Sequence, residues 1–117
     1  MIKFSSTGVK NGPLPKADYY IDCRVVKNPF HEPSLNGKSG DDPAVQQYVA
    51  DHSNIGAMAD LLEEAISRVP SRRRGEKDQD RPFEVLCFCA HGVHRSRSVK
   101  HLLSRVLMNK LYHVEVV

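Results

Sequence analysis

Aromatic residues make up only 7% of this 117-residue sequence. That is thin material for the stacked-aromatic platforms with which many proteins read single-stranded RNA. No apolar stretch approaches the roughly 18 residues a membrane-spanning helix needs, and the start, MIKFSSTGVK, lacks the apolar core of a secretory signal. No membrane partner is expected. Cysteine is scarce: three residues, an odd number, argue against a disulfide framework and for a reducing compartment. The expected location is cytoplasmic. Acidic residues are missing between Arg95 and Lys110, where Arg95, Arg97, Lys100, Arg105 and Lys110 all fall. Residues 71–77 (SRRRGEK) add three consecutive arginines. Asp41, Asp42, Asp51, Asp60, Glu63 and Glu64 lie earlier in the chain. The net charge is a mild +3, and the asymmetry suits either an anionic partner near the C-terminal half or a solvated surface.

What is present fits one domain over residues 1–117, large enough to bury about two thirds of the surface of its unfolded chain. Residues 1–5 read as a first strand, and the glycines and prolines of 8–15 as a loop. Residues 18–26 (DYYIDCRVV) are aromatic and β-branched, a second strand. The polar stretch 27–42 is long for a connector, and loops of that length in a small domain commonly carry function. Asp42 followed by Pro43 predicts a capped helix to about His52. Asn54 caps a second, whose apolar face is Ile55, Met58, Ala59, Leu62, Ile66 and Val69. Pro70 stops it, a charged loop follows to Arg81, and residues 112–117 close the chain as a strand. The order β–β–α–α–β–α–β predicts an α/β domain with helices packed on a small parallel or mixed sheet.

The most informative segment is FEVLCFCAHGVHRSRSVKHLLSR, residues 83–105. The apolar run Val85–Phe88 leads into Cys89, and from Ser96 onward Val99, Leu102, Leu103, Val106 and Leu107 trace a helical face. A strand–loop–helix unit of this kind makes an anion site from backbone N–H groups at the helix start. Cys89, Gly92, Arg95 and Ser96 fit C-x-x-G-x-x-R-S, and a guanidinium there can grip an oxyanion bidentately. The Cys89 thiol is expected to be acidified, either as a nucleophile or as one wall of a binding pocket. Cys23 and Cys87 sit in apolar runs and read as small buried hydrophobes.

Other patterns are weaker. Cys87, Cys89, His91 and His94 spell C-x-C-x-H-x-x-H, but zinc ligand pairs are ordinarily separated by a longer excursion, and no metal is assigned. His94 reads as an anion donor or as a plain surface histidine. Gly37-Lys38-Ser39 imitates the end of a nucleotide P-loop, yet Glu32 stands where the earlier glycine belongs. Asp22 and Arg24 fall on alternate positions of the predicted strand, facing either a ligand or solvent.

Together these pieces resemble the C-terminal domain of the RapZ/YvcJ family. The matching residues are Gly12-Pro13, Ala17-Asp18-Tyr19, Asp22-x-Arg24, Asn28-Pro29-Phe30, Leu35, Ser39-Gly40, Asp42, Val45, Tyr48-Val49 and the loop Cys89–Ser96. Position 91 is histidine where the family favours glycine. Asn36 replaces an arginine, and His31 an aromatic. The resemblance implies an α/β domain with a phosphate or phosphosugar pocket, RNA recognition and homo-oligomer contacts, and no cofactor or turnover. The chain reads as a stand-alone copy without the family's Walker-type nucleotide domain. Carried over by position, Cys89, Ala90, His91, Gly92, Val93, His94, Arg95 and Ser96 line the pocket, with Asn28, Ser39 and Gly40 approaching from the long loop. The alternative is a cysteine-dependent phosphatase or rhodanese-like enzyme using Cys89 and Arg95. Asp41 and Asp42 would then be the candidate acids. A third reading is an interaction domain with no ligand in the loop.

Overall fold

The computed structural model describes residues 1–69 and 81–117. The predicted helix stop at Pro70 and the arginine run after it lie outside the described residues. Four strands form one sheet: β1 (Ile2–Gly8), β2 (Tyr19–Asp22), β3 (Phe83–Cys89) and β4 (Val114–Val116), in the order β2-β3-β1-β4. Every pairing is parallel, so the α/β expectation holds and its parallel version is the correct one. Parallel neighbours need long crossovers. Helices α1 (Pro43–Asp51) and α2 (Ile55–Ser67) join β2 to β3, and α3 (Arg95–Asn109) joins β3 to β4.

Alternation along the strands decides where the core lies. Ile2 and Phe4 of β1 and Val85, Cys87 and Cys89 of β3 share one sheet face. That face packs against Val99, Leu103 and Leu107 of α3, Ala59, Leu62 and Ile66 of α2, and Val49 of α1. The predicted caps form: Asp42 accepts from the Ala44 N–H at 2.8 Å, and Asn54 accepts from the Ala57 N–H at 2.9 Å. Each cap satisfies an otherwise orphaned donor and is worth about 1 kcal/mol.

Two boundaries differ from the sequence reading. β1 runs on through polar Ser5, Ser6 and Thr7 to Gly8, because β3 supplies a partner for every residue of it. β2 ends early, at Asp22, whose carboxylate accepts from the Arg24 N–H at 3.0 Å and turns the chain into a 3₁₀ helix, Cys23–Val25. The long loop also contains a 3₁₀ turn, Pro29–His31, capped by Asn28 Oδ1 on the Phe30 N–H at 3.1 Å. Among the described residues no helix is long and apolar enough to cross a membrane.

Candidate functional site

The carboxyl ends of three strands meet at one end of the sheet, with Gly8 in register with Cys89 and Asp22 with Phe88. Open parallel sheets place their ligand sites there. The loop leaving β3 is shaped by two glycines. Gly92 has φ +75°, and a Cβ on it would lie 2.6 Å from Gly8 N and 2.8 Å from the Thr7 carbonyl carbon. A Cβ on Gly8 would meet the His91 carbonyl carbon at 2.3 Å. Backbone therefore packs on backbone, and the Lys10 N–H fixes the loop's start by donating to Ala90 O at 3.0 Å.

This geometry turns donors onto sulfur. The Gly92 N–H points at Cys89 Sγ over 3.2 Å, and the thiol reaches Ser96 Oγ at 3.2 Å. Cys89 is 2% exposed. Burial pushes its pKa up, but the Ser96 hydroxyl, the Ser96 and Gly92 amides and the Arg95 charge outweigh burial, and the thiol ends below its ordinary value. Cys23 behaves oppositely: its hydrogen bond with Cys87, then burial, push its pKa far up.

His94 occupies the N-cap position of α3 without a side-chain cap bond. Burial lowers its basicity and Arg95 adds to this, while a bond to the Lys38 backbone opposes them. Its Nε2 is buried and has no hydrogen-bond partner among the described residues. Arg95 borders the loop and donates from Nη1 to Arg24 O at 2.9 Å, tying the start of α3 to the turn after β2. Asp22 and Arg24 lie on the surface and form a bidentate pair at 2.9 and 2.8 Å.

A recess of about 270 Å³ opens between the two loops, walled by Asn28, Phe30, His91, Val93 and His94. A smaller hollow of about 20 Å³ shares Asn28, His91, Val93 and His94 and adds Cys89 and Arg95. Ser39 and Gly40 act as anchors. The Gly40 N–H donates to Val93 O at 2.7 Å, and Ser39 Oγ accepts from the Asp41 N–H at 3.1 Å. Asp41 then pairs with Arg97 at 3.3 Å and His101 Nε2 at 2.8 Å. Basic residues of α3 and its C-cap also have partners within the chain: Arg105 donates to Gln46 Oε1, Lys100 to Val117 O and Lys110 to Glu63. Sequence reasoning omitted Phe30 and Gly8 from the site. The Asn28-Pro29 turn signal pointed toward Phe30, whereas nothing local marks Gly8. Among the described residues no three His, Cys, Asp or Glu side chains are grouped to hold a metal ion.

A parallel α/β domain with a cysteine loop of inward-turned donors between strand and helix is what the fold and site define. The family model of the RapZ C-terminal domain matches residues 1–117, and the chain belongs to that family. It is similar to a nucleotide-binding protein of Thermus thermophilus, 31% identical over 118 residues, covering 100% of this chain and 41% of the relative. A nucleotide-binding protein of Limosilactobacillus fermentum is 31% identical, with 98% and 39% covered. One from Ruegeria sp. is 28% identical, with 98% and 38% covered. The chain spans about two fifths of the length of these relatives.

Proposed function

We propose that this domain binds a phosphorylated small molecule, with its phosphate in the Cys89–Ser96 loop and its carrier in the recess walled by Phe30, and that it does so without turnover. The observation that carries this is the cysteine loop set at the N-terminus of the α3 helix, where the Gly92 N–H donates to Cys89 Sγ and the thiol donates to Ser96 Oγ, each at 3.2 Å. Donors set in that way favour an oxyanion, and the helix dipole adds to them. A phosphosugar is the ligand class that the family resemblance favours, and a recess of about 270 Å³ has room for one small ring.

The cysteine phosphatase is the weaker reading because its acid has no place. Asp42 is spent capping α1, and Asp41 is held ionised, chiefly by His101. A leaving group would find no proton there. RNA binding and homo-oligomer contacts stay proposals that rest on the family.

Thermal shifts of the wild type and Arg95→Ala with phosphosugars, inorganic phosphate and sulfate test the reading. Ligand at a hundred times its Kd adds about 2.7 kcal/mol of stability. The expected result is a phosphosugar shift that vanishes in the variant while its unliganded melt stays cooperative. An equal shift in both proteins removes the pocket assignment. RNA titrations at two salt concentrations complete the panel, since phosphate-dominated binding weakens steeply with salt.

A further inference from the structure

The three thiols lie together where β2 and β3 end, yet their surroundings differ. Cys23 and Cys87 are fully buried, and the Cys23 thiol donates to the Ile21 carbonyl oxygen at 3.6 Å. Cys89 sits beneath the loop, its sulfur facing the Gly92 N–H and the Ser96 hydroxyl and bordering the hollow of about 20 Å³. That volume holds about one water-sized molecule.

We propose that Cys89 is a peroxide-oxidisable thiol whose sulfenate fills the phosphate seat and closes the site. Thiolate is the nucleophile in such reactions. The Cys89 sulfur attacks one peroxide oxygen; an S–O bond forms, the O–O bond breaks, and hydroxide leaves to take a proton from solvent. Sulfur loses two electrons and the peroxide gains them. The new oxygen extends from sulfur toward the donors that otherwise meet a phosphate oxygen. Cys23 and Cys87 are wholly buried in the core, so neither attacks the sulfenic acid readily, and the oxidised state persists until an external thiol reduces it.

The closing of the site rests on the proposed phosphate seat; the reactivity of Cys89 does not. The full chain is treated with hydrogen peroxide, and the three cysteines are followed by peptide mass mapping after trapping with a 1,3-diketone. Phosphate affinity is measured separately by calorimetry. The expected result is one added oxygen at Cys89, about tenfold or more faster than at Cys23 or Cys87, which lie outside the lining of the hollow. Inorganic phosphate slows the reaction, dithiothreitol reverses it, and Ser96→Ala slows it. Equal rates at all three cysteines, or an inert Cys89 in a protein that binds phosphate, overturn the proposal. Selective oxidation without any phosphate affinity supports a reactive Cys89, overturns the closing of the site and refutes the phosphate reading.

Discussion

Gly92 is where the loop's shape is decided. Its φ of +75° and the 2.6 Å approach to Gly8 N leave no place for a side chain, so Gly92→Ala combines backbone strain with a clash against β1. The expected cost is about 1–3 kcal/mol, read by urea unfolding, together with loss of anion binding. Ser96 acts on the sulfur itself. With its hydroxyl gone, burial of Cys89 loses its strongest opponent, and in Ser96→Ala the thiol pKa rises, visible as a higher midpoint in an ultraviolet thiolate titration. An unchanged midpoint would remove Ser96 from the account of the site. The spacing of Cys89, Gly92, Arg95 and Ser96 was legible in the sequence because the loop is local. The partner of Arg95 was not: Arg24 O is 71 residues away in sequence, with a strand and two helices between them.

At the scale of elements, the helices were the most legible part, because caps and apolar periodicity are written within a few residues of each other. Asp42-Pro43 and Asn54 stand at the helix starts, and Val99, Leu103 and Leu107 form the buried face of α3. Asp42→Ala is expected to cost about 1 kcal/mol, while Leu103→Ala, at a wholly buried position, costs about 2–5 kcal/mol. Denaturant unfolding of both variants checks the ordering. Strand ends were read less well. Composition extended β2 through Cys23 to Val26, but the Asp22 carboxylate, accepting from the Arg24 N–H, bends the chain first. Composition also stopped β1 at Ser5, because a pairing with residues some 80 positions later has no local signature; Ser6 pairs with Cys87 and Gly8 with Cys89.

At the scale of the whole molecule, the site exists only because remote segments are tied together. Asp41 is the tie between the long loop and α3, reaching Arg97 and His101 across 56 and 60 residues. It holds in place the Ser39-Gly40 anchor beside Val93, one wall of the recess. The His101 hydrogen bond first, with Arg97 adding to it, lowers the Asp41 pKa below its ordinary 3.8. A carboxylate whose folded pKa is depressed contributes stability above its unfolded pKa and loses it as pH falls through the folded value. Wild type is therefore expected to exceed Asp41→Asn at neutral pH, and the gap should close as pH falls below 3.8. The Asp41 side chain is 57% exposed, so solvent screening limits the neutral-pH gap to about 0.5–1 kcal/mol. Urea unfolding of both proteins across the acid range measures it. A gap that stays constant with pH would mean that Asp41 acts through packing rather than charge, and the tie would then hold equally well in acid.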